Sequence, residues 1–178
     1  EMNGYRHLYL YTMDGKSKTQ LTQGNYEITD VNGVDEVNKR IFFTRAYPRP
    51  MDRNLFVTDF SGKKTTQLTQ GEAWHKVTLN DDFTEFYDYR TDINTPQVVT
   101  LHAITSNRKK EVSATFVKTI SESSKLKDKM KDYEISKAEF IRVPNSKGDT
   151  LNGWMLKPPN FDASKKYPVL FCNYGGPG

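Results

Sequence analysis

The sequence predicts a mainly β fold: consecutive antiparallel blades of an incomplete β-propeller, followed by the first strands of a second, differently built domain. Three observations predict it. A 19-residue stretch recurs at a fixed offset. Short alternating strands separated by turn dipeptides fill the first two thirds of the chain. A run that is apolar on both faces stands near the end, Val169-Leu170-Phe171-Cys172.

The repeat carries most of the weight. Residues 6–24 read RHLYLYTMDGKSKTQLTQG and residues 53–71 read RNLFVTDFSGKKTTQLTQG, an offset of 47 at both ends (53 − 6 and 71 − 24), with 10 of 19 positions identical. In each copy an alternating run (Leu8 to Tyr11, Leu55 to Thr58) leads into Asp14-Gly15 or Ser61-Gly62. Such dipeptides supply the positive φ that tight hairpins require. A second strand ends at Leu21-Thr22 or Leu68-Thr69, closed by Gly24 or Gly71.

Between and after the copies come further strand pairs. Glu27 to Val34 and Arg40 to Thr44 flank one turn, and Lys76 to Leu79 and Glu85 to Tyr89 flank Asn80-Asp81-Asp82. A degenerate third copy is expected at Gln97 to His102, with a turn near Ser106-Asn107 and a strand around Lys110 to Val112. Four short strands every ~45 residues is blade spacing. A β-sandwich also spaces strands regularly, but it does not call for near-identity at a constant offset. Two or three blades cannot close a ring of about four to eight, so the chain is expected to be part of a larger protein.

From about residue 116 the grammar changes. Ser123-Ser124 caps a predicted helix over residues 124–133, with Leu126, Met130 and Tyr133 on one face. Lys137 to Val143 and Thr150 to Lys157 read as strands around the turn Asn145 to Gly148. The run ending at Tyr174 reads as a strand buried on both faces, as in a parallel sheet covered by helices, and leads into Gly175-Gly176-Pro177-Gly178. The expected domains are residues 1–134 and 135–178.

Composition excludes several classes. Of 178 residues 12% are aromatic, with 10 Tyr and 10 Phe, which argues against disorder although hydrophobic residues total 35%. The net charge of +4 (26 basic, 22 acidic) is scattered rather than clustered, so no nucleic-acid partner is expected. The single cysteine, Cys172, excludes an intrachain disulfide and a cysteine-rich metal site; its apolar setting predicts a buried thiol. No stretch approaches the ~18 apolar residues of a membrane span, and no cofactor or metal ligand is assigned. The three histidines, His7, His75 and His102, read as packing or surface residues, since no Gly-x-Ser-x-Gly stands anywhere in the chain. Trp74, following a blade ending, is expected to pack between blades.

These residues together resemble the dipeptidyl peptidase IV branch of the prolyl oligopeptidase-like serine peptidases. The first half of the resemblance is Arg6-His7-Leu8-Tyr9, Leu21-Thr22-Gln23-Gly24, Asp35 to Thr44, Arg53-Asn54-Leu55-Phe56 and Leu68 to Trp74. The second is Ser124 to Met130, Trp154 to Asp162, Lys165-Lys166-Tyr167-Pro168-Val169-Leu170 and Tyr174-Gly175-Gly176-Pro177, which is similar to the family's entry into its α/β-hydrolase domain. The resemblance implies a parent exopeptidase that releases N-terminal dipeptides with proline or alanine second, through a Ser-Asp-His triad. It implies that Tyr174 donates its hydroxyl to the oxyanion. It also implies peptide substrates, a homodimeric parent and an exported or periplasmic location. The triad and the paired glutamates that hold a substrate's amino terminus would lie outside this chain, and the doublet Asp81-Asp82 is a blade turn. The chain alone is therefore expected to be inactive. Two other readings stay open: a non-catalytic propeller used as a binding module, and an acylaminoacyl peptidase or oligopeptidase relative.

Overall fold

In the computed structural model, residues 4–109 and 111–173 are described. The chain divides into two compact units, Glu1–Lys129 and Met130–Gly178. The first is built from ten strands in three antiparallel sheets. β1 (Tyr9–Tyr11) and β2 (Lys18–Gln20) form a hairpin; β3 (Ile28–Asp35), β4 (Arg40–Arg45), β5 (Asn54–Asp59) and β6 (Thr65–Gln67) form a four-stranded meander; β7 (Trp74–Leu79), β8 (Glu85–Thr91), β9 (Val98–Ser106) and β10 (Val112–Ser121) form another. Neighbours in sequence are neighbours in each sheet, as blades require.

The repeat holds at the level of single hydrogen bonds. β2 moved by 47 positions falls on β6, and β1 falls inside β5. The Leu8 amide donates to Thr22 Oγ1 at 2.9 Å, as the Leu55 amide does to Thr69 Oγ1 at 2.9 Å. Gln20 and Gln67 each donate through Nε2, at 2.8 Å, to the carbonyls of Thr22 and Thr69. Where the letters differ, the bonding does not. Asn54 accepts from the Thr69 hydroxyl at 2.8 Å and donates to the Gly71 carbonyl at 3.4 Å. His7 stands in its place, with Nδ1 3.2 Å from the Thr22 hydroxyl and Nε2 3.1 Å from the Gly24 carbonyl. A carbonyl only accepts, so Nε2 carries the proton and Nδ1 takes the role of the amide oxygen.

Inward-facing residues of the two meanders meet in one core: Phe42, Leu55, Val57 and Leu68 from the first, Phe86, Ile104 and Val112 from the second. Fully burying each such side chain contributes about 1.5–3 kcal/mol. Phe83 closes this core by stacking on Phe42, ring centres 5.4 Å apart. Its ring lies where a Cβ on Gly33 would come within 2.5 Å, so β3 needs a glycine there. A smaller cluster, Ile28, Phe43 and Phe56 with Leu8 and Tyr26, joins the opposite face of the first meander to the β1–β2 hairpin.

Beyond the expected strand near residue 112, β10 runs on to Ser121 through two register shifts. Pairing with the long β9 carries it past the point where alternation fades in the sequence. Helix α1 (Ser124–Met130) is shorter than predicted and buries none of its residues; Leu126 and Tyr133 are exposed. Ser123 precedes it, but its hydroxyl bonds the Gln97 carbonyl at the head of β9.

In the second unit β11 (Ala138–Pro144) and β12 (Thr150–Leu156) form a hairpin over the predicted turn. Asn145 Oδ1 accepts from the amides of Lys147 and Asp149 at 2.8 and 2.9 Å, the side-chain mimicry that suits Asn to turns. Of the strand expected over residues 167–174, the described residues 167–173 form none. Leu170 and Phe171 are each 88% exposed, Cys172 is exposed rather than buried, and residues 166–173 are irregular. No strand of the described residues pairs with this run, and an apolar strand without neighbours has neither hydrogen-bond partners nor cover.

Candidate functional site

Tyr174, the site residue of the sequence analysis, lies outside the described residues. The chemistry that can be placed gathers where the two meanders adjoin. There Arg53 bridges to the next sheet: its amide donates to the Ala73 carbonyl at 3.0 Å, and its carbonyl accepts from the His75 amide at 2.9 Å.

His75 is buried, at 2% exposure, which agrees with the packing alternative of the sequence reading. It is the second residue of β7 and sits diagonally across from Asp88 on β8, where Val77 is the direct partner of Asp88. Its Nδ1 lies 2.8 Å from Asp88 Oδ2 and 3.0 Å from Oδ1. The carboxylate accepts, so Nδ1 carries the proton. Nε2 is buried and has no hydrogen-bond partner among the described residues. A carboxylate orients this imidazole as in a hydrolytic triad, but no hydroxyl of the described residues bonds Nε2 to be activated. The pair joins β7 to β8 as a packing element.

His102, on β9, stacks on Phe86 with ring centres 4.9 Å apart, and its Nε2 lies 2.9 Å from Thr100 Oγ1. Burial lowers its pKa below the ordinary 6.5, a tendency that Asp88 opposes and His75 reinforces.

The segment between β4 and β5 is rich in arginine. Arg49 grips the buried Asp52 through Nε (2.8 Å) and Nη2 (2.7 Å) and reaches Glu72 through Nη1 (2.8 Å). The hydrogen bonds to Asp52 raise its pKa, with burial opposing. Arg53 donates to the carbonyls of Pro50 and Asp52 and lies 4.6 Å from the Trp74 ring centre. Trp74 is thus half exposed, with its ring against Arg53 where the two meanders adjoin. Sequence reasoning missed the His75–Asp88 and Arg49–Asp52 pairs. The first needs the β7–β8 register, and the second had a faint signal in its i, i+3 spacing. Among the described residues no group of three His, Cys, Asp or Glu side chains could hold a metal ion, and no helix is long and apolar enough to cross a membrane.

Residues 1–97 match the family described as dipeptidyl peptidase IV (DPP IV) N-terminal region. The whole chain aligns at 32% identity with a dipeptidyl peptidase 4 of Arthroderma otae and with one of Trichophyton rubrum, covering 22% of each. The crystal structure of Porphyromonas gingivalis dipeptidyl peptidase 4 superposes with a TM-score of 0.81 at 25% identity, over 94% of this chain and 23% of that one. The chain thus spans less than a quarter of the length of the relatives it matches.

Proposed function

Because the chain belongs to the family of the dipeptidyl peptidase IV N-terminal region, we propose that it is part of a serine exopeptidase that releases N-terminal dipeptides, with proline or alanine second, from peptides. The observation that carries this is the alignment of the entire chain with dipeptidyl peptidase 4 sequences. In this reading residues 1–134 are the last propeller blades and residues 135–178 begin the α/β-hydrolase domain. The apolar side chains that stand exposed in the second unit, Trp154, Leu170 and Phe171 among them, become the surface that the rest of that domain covers. The chain carries no Gly-x-Ser-x-Gly, so by itself it hydrolyses nothing. The parent is a homodimer, exported or periplasmic.

Tyr174 is the one catalytic residue this reading assigns to the chain. An unperturbed phenol has a pKa of about 10, so it remains a donor at neutral pH. Donating to the oxygen that gains charge in the tetrahedral intermediate, it favours the transition state over the substrate. The test is Tyr174→Phe in the full-length enzyme, assayed on a prolyl dipeptide substrate. The expected result is a kcat lower by about 10²–10³ with KM little changed and an unaltered thermal melt. A well-folded variant that keeps most of its kcat removes the assignment.

A further inference from the structure

Arg45, the last residue of β4, is set apart from the arginines around it. Arg6 is paired with Glu27, Arg49 with Asp52 and Glu72, and Arg53 with two carbonyls. The Arg45 guanidinium makes no hydrogen bond or ion pair with the described residues. It is held by three rings instead, its central carbon 3.9 Å from the ring centre of Phe56, 4.2 Å from Tyr26 and 4.4 Å from Tyr47. Nε is buried without a partner. The rings stabilise the charge but accept none of the five N–H donors. Phe56 belongs to the cluster with Ile28 and Phe43, so the side chain caps an apolar core that a leucine or methionine would cap without stranding any donor.

From this we propose that Arg45 is the anion-binding residue of a recognition site for a peptide carboxylate, an acidic side chain or a chain terminus. The planar guanidinium matches a carboxylate by paired hydrogen bonds, and the rings hold it in place before the ligand arrives, so little side-chain entropy is lost on binding. The hydroxyls of Tyr26 and Tyr47 bond no described residue and are free to add donors. Arg6 stands against Glu27, and the two charges of Arg49 and Arg53 against those of Asp52 and Glu72, which leaves one uncompensated charge at Arg45. One charge fits a carboxylate better than a phosphate dianion. Tyr26 and Tyr47 supply faces against which a peptide's apolar atoms pack.

This site is independent of the peptidase reading, and its test involves no hydrolysis. Titration calorimetry of the protein would use four probes: acetyl-Gly-Glu-Gly-amide, acetyl-Gly-Gly-Gly with a free carboxylate, acetyl-Gly-Gln-Gly-amide and inorganic phosphate. At least one carboxylate peptide should bind, and whichever does identifies the source; the neutral peptide should not. Arg45→Gln should weaken that binding by at least about tenfold. Arg45→Lys, which keeps the charge and the cap but loses the planar fork, should weaken it less, and it carries the test should the Gln variant fail to fold. The proposal is overturned if neither carboxylate binds, if the neutral peptide or phosphate binds as tightly, or if the folded variants bind like the original.

Discussion

Gly15 and Gly62 occupy the same place in the two copies of the repeat, with φ of 70° and 71°, yet their surroundings differ. A Cβ on Gly15 meets nothing within 4 Å; one on Gly62 comes within 2.8 Å of the Leu21 Cα and carbonyl oxygen and 3.0 Å of the Gln20 carbonyl oxygen. Replacing either with alanine carries the left-handed backbone cost of about 1–2 kcal/mol. Only Gly62→Ala must also push back the backbone after β2, an overpacking cost of about 1–3 kcal/mol. The expected totals are about 1–2 kcal/mol for Gly15→Ala and about 2–5 kcal/mol for Gly62→Ala. Urea unfolding of both variants measures the difference as a midpoint shift at constant slope. Hydrogen exchange at the Leu21 amide, which bonds the Leu8 carbonyl, localises it. Equal losses for the two variants would refute the close seating of the β5–β6 turn on the chain leaving β2.

Three further outcomes follow from the same structure. Asp88→Ala strands a second nitrogen of the buried His75 and should cost about 1–3 kcal/mol; in thermal or urea unfolding, joint replacement of both residues by leucine should cost less than the sum of the single changes. His102 has a folded pKa below 6.5, so the unfolded chain binds its proton first. Its contribution is complete above about pH 6.5 and declines as pH falls toward the folded pKa; unfolding free energies across pH 5–8 should show that slope, and His102→Phe should flatten it. The isolated chain should self-associate through the unpaired edges of its terminal blades and of the β11–β12 hairpin; concentration-independent monomeric elution would contradict that.

Elements with a local signature were legible in the sequence. The hairpin turns announce themselves through Gly and Asn, and alternation locates β3, β4, β8, β11 and β12 within a residue or two. The full reach of β10 was not, because β9 holds it through two bulges after its own pattern ends. The face of α1 misled, since periodicity says which residues align and not whether anything lies opposite. Cys172 misled for the same reason: its apolar neighbours bury it only if other strands flank them. Pairs such as His75–Asp88, and the placing of Tyr26 and Phe56 beside Arg45, are invisible without the strand pairing, since their members lie more than ten residues apart in sequence. What the resemblance proposed for Tyr174 depends on residues beyond those described.

The exchange of Asn54 for His7 bears on how such a chain can drift. The position is a specification rather than a residue: one acceptor toward a hydroxyl, one donor toward a carbonyl, at a set span. Amide and imidazole both satisfy it, so letters can change while the wiring does not. Identity between copies therefore undercounts what has been kept. The third blade shows where this leads, for β9 and β10 pair antiparallel as β5 and β6 do without the shared block by which the first two copies recognise each other.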